Sequence, residues 1–160
     1  MAELQSKRLP PQNIEAEESL LGAILIDSGA LMKIVDSIRP DDFYKRSHGM
    51  IFDVILELFE RHEPIDILTL GNKLEEKNLL KQVGGRTTLV ELTNKVTTAS
   101  HIKHYAEIIQ KKATLRRLIT AASEITELGY SEDEETDQLI DDAEQKLFNV
   151  SSNFIKQSFV

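Results

Sequence analysis

From His101 to Leu128 the chain contains neither proline nor glycine, and Ile108, Leu115, Leu118, Ala122 and Ile125 keep the three-and-four spacing of one helical face. That stretch specifies one long helix, with Gly129 placed as a C-terminal cap. A turn at Tyr130 to Glu132 precedes a second helix expected from about Asp133 to Val150, with Leu139, Ala143, Leu147 and Val150 facing one way. The two helices read as a hairpin. At 1.5 Å per residue the first is about 42 Å long, whereas a head of ~100 residues has a radius of gyration near 13 Å. The hairpin is therefore expected to project from whatever the first hundred residues form. Residues 151–160, with weak pattern, read as the start of a linker.

Those first hundred residues have a different character. All four prolines lie before residue 65 and six of the seven glycines before residue 86, which marks a boundary near the middle of the chain. Residues 1–12 read as an extended arm ending in Pro10-Pro11. A head of short helices follows over 13–100. Asn13 is placed as an N-cap, and Glu15, Glu17 and Glu18 sit where the positive end of a helix dipole favours acids. Leu20, Leu21, Ile24 and Leu25 then point inward. A second helix near Ala30 to Ile38 is stopped by Pro40. Ile51, Ile55 and Phe59, flanked by Phe52 and Leu56, mark the central helix of the head. Asp66 caps another. Beyond Gly84-Gly85, a segment carrying Leu89, Leu92 and Val96 is rich enough in threonine and valine to be a helix or a strand. The fold class is all-α: a head of short helices, then a long projecting hairpin.

Composition excludes several functions. No apolar run approaches the ~20 residues that a membrane span needs, and residues 1–9 lack the apolar centre of a secretory signal. The 160 residues include no cysteine, which removes disulfides and thiolate metal sites and points to the cytoplasm. A net charge of −8 opposes broad contact with phosphate backbones. That charge is uneven: residues 101–120 carry Lys103, Lys111, Lys112, Arg116 and Arg117 against Glu107, while residues 121–149 carry ten acids against Lys146. The basic stretch 103–117 is the one feature that an autonomous nucleic-acid-binding domain would use, but only Tyr105 is there to stack a base. A solvated face, or pairing with the acidic second helix, is the simpler reading.

Catalytic machinery is missing. A phosphate-binding loop needs Gly-Lys-Ser or Gly-Lys-Thr; the nearest stretch, Gly84-Gly85-Arg86-Thr87-Thr88, lacks the lysine and reads as a turn. His101 and His104 share a helical face, but with only Glu107 and Asp133 as conceivable further ligands they read as a polar helix start rather than a metal site. Pro40-Asp41-Asp42 has the composition of a turn and cap. His48 reads as a helix-start or half-buried histidine bonded to backbone. The chain is expected to be neither an enzyme nor a holder of metal or cofactor.

The residues 8–17, Arg-Leu-Pro-Pro-Gln-Asn-Ile-Glu-Ala-Glu, followed by Leu21-Gly22-Ala23, resemble the opening of DnaB-type replicative DNA helicases. Asp41-Asp42-Phe43-Tyr44, His48, Ile51-Phe52, Pro64-Ile65-Asp66, Gly84-Gly85, Tyr105-Ala106 and Leu115-Arg116-Arg117-Leu118-Ile119 continue the likeness in order, over roughly residues 7–150. The resemblance implies the N-terminal collar of a hexamer assembled as a trimer of dimers, beside a RecA-like motor that uses ATP and magnesium to unwind DNA 5′ to 3′. That motor is expected beyond residue 160. The implied partners are further copies of the chain, the C-terminal domain of a DnaG-type primase and a helicase loader, with single-stranded DNA met only through the full hexamer and no membrane. Where the family commonly has a tyrosine three residues after the paired glycine, this chain has Thr88, a departure that bears on primase affinity.

Two sets of candidate residues follow. The Leu118, Ala122 and Ile125 row, with Leu139 and Leu147 from the second helix, is assigned to self-association, because a shorter helix cannot cover the whole of a longer one. Glu15, Leu115, Arg116 and Ile119, placed off that row, are assigned to primase docking.

Overall fold

The computed structural model describes residues 8–158; the portions of the expected arm before Arg8 and of the expected linker after Ser158 lie outside them. Among the described residues the chain is all-helical. It forms α1 (Ile14–Ile26), α2 (Arg46–Glu60), α3 (Ile67–Glu76), α4 (Gly85–Thr93), α5 (Ile102–Gly129) and α6 (Thr136–Ser158), with 3-10 turns at Ser28–Lys33 and Pro40–Asp42.

Local chemistry sets most of the boundaries. The side chain of Asn13 accepts from the Ala16 amide at 3.0 Å and starts α1. Asp66 does the same for α3 through the Thr69 amide at 2.7 Å. These caps satisfy amide donors that the helix itself leaves free. At Pro40–Asp42 the Arg39 amide donates to Asp42 Oδ2 at 2.8 Å, so the acidic pair serves as a turn and cap.

Two expectations are corrected and one open choice is settled. The helix expected near Ala30 to Ile38 is a 3-10 segment ending at Lys33. Gly29 and the β-branched Ile34 and Val35 are weak helix formers, yet Ala30, Leu31, Ile34 and Ile38 are all buried. The Leu89 to Val96 segment is helical as far as Thr93, because burial of Leu89 and Leu92 outweighs the β preference of its threonines and valine. The last helix begins at Thr136 and runs through Val150 to Ser158, so residues 151–158 are helical. By its internal contacts the chain divides into two compact units. One is Gln12–Gln110; the other joins the arm before Gln12 to the chain from Lys111 onward. The boundary falls inside α5.

Within Gln12–Gln110, α1, α2, α3 and α4 pack around Leu20, Leu21, Ile24, Ile51, Phe52, Ile55, Leu58 and Leu70, all fully buried. α1 lies against α4, where Gly22 meets the Leu92 carbonyl with no room for a Cβ. The first turns of α5 join this core through Ile102, Ala106 and Ile109, and Gln110 donates to the Ser37 carbonyl. Two buried polar groups tie the unit together. Glu17, 2% exposed, lies 2.9 Å from His48 Nδ1 and accepts from the amides of Tyr44 at 2.7 Å and Lys45 at 3.3 Å. His48 is thus bonded to a carboxylate and not to backbone. Among the described residues no buried side-chain nitrogen or oxygen is left without a partner.

In the second unit, α5 and α6 form an antiparallel hairpin closed by the turn after Gly129. Lys146 Nζ of α6 and Glu124 Oε2 of α5 are 3.1 Å apart. Ala121 is buried, and Ile125, Leu128, Leu139, Ala143 and Val150 are half-buried.

Candidate protein-docking site

The hairpin leaves much of its apolar surface uncovered. Leu118 is 46% exposed and Leu147 54%; Ala122 is also exposed, while Ile125 and Leu139 are half-buried. The five self-association candidates therefore split in two. Ile125 and Leu139 lie toward the inner side of the hairpin, whereas Leu118, Ala122 and Leu147 are presented outward. Ala121, not its neighbour Ala122, is the small residue that the hairpin buries. Sequence reasoning missed four more exposed side chains on α6: Ile140, Phe148, Phe154 and Ile155, each half exposed or more. Their signal was present, because Ile140, Leu147 and Phe154 are spaced seven apart, two helical turns. The continuation was hidden by Ser151, Ser152 and Asn153.

The primase-docking candidates do not form one cluster within a unit. Leu115, Arg116 and Ile119 follow one another on α5 in the hairpin unit, whereas Glu15 is exposed in the first turn of α1, in the Gln12–Gln110 unit. Leu115 is half-buried and Ile119 is 52% exposed, so Ile119 is no hairpin core residue. Arg116 is half-buried and Nη1 donates to the carbonyl of Pro11 at 2.8 Å, across 105 residues of sequence. Proline has no amide donor and a fixed φ, so Pro10-Pro11 forms a stiff extended strap with carbonyls available to such a donor. The strap and α5 enclose an open groove of about 920 Å³, with Arg8, Leu9 and Pro10 on one side and Arg116, Ile119 and Ser123 on the other. Thr88 occupies no part of it: its hydroxyl donates to the Gly84 carbonyl at 3.0 Å and steadies the start of α4.

The basic stretch is divided between the units. Lys103 lies in the first, and Lys111, Lys112, Arg116 and Arg117 in the second. Lys103 and Lys111 are exposed, and the other three are half-buried. Among the described residues no group of three or more histidines and carboxylates is placed to hold a metal ion, and no helix is long and apolar enough to cross a membrane.

Fold and surface together define a class: a domain that is all-helical among its described residues and whose conspicuous features are apolar rows on a helical hairpin. The chain belongs to the DnaB-like helicase N-terminal domain family, whose model matches residues 9–111. It is 41% identical over 151 residues to the replicative DNA helicase DnaB of Geobacillus stearothermophilus and 42% identical over 151 residues to the replicative DNA helicase DnaC of Bacillus subtilis (strain 168), covering 94% of this chain in each case. It spans about a third of the length of either relative, 33%. Among solved structures it is similar to the N-terminal domain of DnaB helicase from Mycobacterium tuberculosis, with a TM-score of 0.85 and 35% identity over 89% of this chain and 99% of that one. In fold alone it also resembles a DnaB-like replicative helicase whose structure was described with its interactions with primase, at a TM-score of 0.72 and 23% identity, over 86% of this chain and 31% of that one.

Proposed function

We propose that this domain is the assembly collar of a hexameric replicative DNA helicase. It joins copies of the parent protein through the hairpin, as a trimer of dimers, and receives the C-terminal domain of a DnaG-type primase and a helicase loader. ATP, magnesium and 5′ to 3′ unwinding belong to a motor domain of the parent, single-stranded DNA is met through the assembled ring, and the work is done in the cytoplasm.

The observation that carries this reading is the exposed apolar surface of the hairpin, from Leu118 on α5 to Ile140 and Leu147 on α6. Removing apolar surface from water stabilises an assembly by roughly 25 cal/mol per Å², and contiguous apolar patches on a soluble domain mark contact sites. Membership of a family of helicase N-terminal domains supports the identity of the assembly. For primase, the supporting features are the half-exposed Ile119 and the neighbouring Arg116.

Light scattering on the doubly substituted Leu118→Asp, Leu147→Asp chain tests the assembly role. Both side chains are about half exposed, so the helical circular dichroism is retained while the mass falls to that of one chain. A mass equal to wild type would place the interface elsewhere.

A further inference from the structure

We propose that the strap of residues 8–11 is itself part of the docking surface, forming with α5 a basic-rimmed groove that takes an amphipathic helix with aliphatic side chains on one face and carboxylates along its edge. The inference rests on the primase-docking reading above and identifies the chemistry that the primase domain must present.

Three observations converge on it. First, Leu9 is 78% exposed and Ile119 52% exposed, and both line the same groove. Two exposed aliphatic side chains at the walls of one groove are candidate anchors, and aliphatic anchors rimmed by polar groups are where docking energy concentrates. Second, the strap is rigid without belonging to any helix. Pro10 and Pro11 fix their own φ and restrict the residue before each of them, and the Arg116 to Pro11 hydrogen bond fastens the strap to α5. Leu9 is therefore presented at little further entropic cost on binding. Third, the charge is complementary to an acidic ligand. The chain carries −8 overall, yet among the described residues the groove is lined by Arg8 and Arg116 and by no carboxylate. The α5 wall, from Arg116 to Thr126, is about 15 Å long at 1.5 Å per residue, which suits a helix laid into a groove.

Titration calorimetry of the whole chain against the C-terminal helicase-binding domain of the primase from the same organism tests this, with light scattering on each variant. Leu9→Ala and Arg8→Glu are each expected to weaken binding several-fold, and the Arg8→Glu loss should shrink in high salt because that contribution is electrostatic. Both side chains are exposed, so melting temperature and helix content should not move. Ile119→Ala serves as the control for the underlying reading. If it weakens binding while both strap variants bind like wild type, the strap is no part of the surface and this inference is overturned, although docking on α5 stands. If none of the three affects binding, the docking reading itself is wrong. If the strap variants change the mass of the assembly and leave primase affinity intact, the groove is occupied by a second copy of this chain, which also overturns the proposal.

Discussion

The carboxylate of Glu17, in the first turn of α1, fastens the two residues that lead into α2 and holds His48 in its first turn. One side chain accepts from the amides of Tyr44 and Lys45 and lies 2.9 Å from His48 Nδ1. α2 needs this help, because its own N-cap residue, Lys45, makes no side-chain capping bond. A negative charge at the positive end of a helix adds to the effect. Glu17→Ala would leave two amides and a buried imidazole without their acceptor, so the expected loss is about 2–4 kcal/mol. Chemical denaturation of the variant beside wild type measures it, and a change within experimental scatter would show that water replaces the carboxylate.

Gly22 sits where a Cβ would collide with the Leu92 carbonyl. Alanine is the better helix former by about 1 kcal/mol, so in an isolated helix Gly22→Ala would stabilise. In this fold it should instead destabilise by about 1–3 kcal/mol, because α1 and α4 must separate. A melting curve gives the sign directly, and a raised melting temperature would contradict the close α1 to α4 packing.

The first hundred residues also contain a charge cluster with a defined pH response. The bond to Lys77 Nζ, at 2.8 Å, is the main cause that holds the Glu57 carboxyl below its ordinary value of 4.5; partial desolvation opposes it, and the charges of Lys77, Lys73 and Arg61 act with it. A carboxylate whose folded pKa is depressed contributes stability above its unfolded pKa and loses it as pH falls through the folded value. Glu57→Gln should therefore melt below wild type near neutrality, and the two curves should converge on acidification below pH 4.5. The difference at neutral pH should also narrow in high salt, since the group is accessible to screening. A gap that persists in acid would mean that packing, and not charge, explains the variant.

Local signals carried much of the fold. Asn13 and Asp66 were legible as caps because their hydrogen bonds reach only three residues ahead, and α2 and α5 because their apolar spacing is long and regular. What was hidden depends on partners distant in sequence. Glu17 looks like an ordinary first-turn acid until His48, 31 residues on, is folded against it. The hold of Arg116 on the strap is invisible until the Pro11 carbonyl, 105 residues back, is found beside it. Ala121 and Ala122 are indistinguishable by composition, and a rotation of about 100° about the helix axis decides which is buried. The end of α6 was misplaced because serine and asparagine favour loops on average, while Leu147 and Phe154 maintain the helical spacing across them.

Asp66→Ala isolates one of the legible features. Loss of its bond to the Thr69 amide should cost about 1 kcal/mol with no effect on assembly, because the residue belongs to the Gln12–Gln110 unit and not to the hairpin. Denaturant midpoints and light scattering on the same sample separate the two effects, and a change of mass would give the α3 end of the head an unexpected part in assembly.

The central claim, that the hairpin makes this domain an assembly module, is tested most directly by the mass of the unaltered chain in solution. Light scattering across rising concentration should show a species at two or more times 18.1 kDa, dissociating on dilution with its helix content unchanged. A mass of one chain at every concentration would contradict it, because the exposed surfaces of Leu118, Ile140 and Leu147 would then have no copy of this chain to cover them.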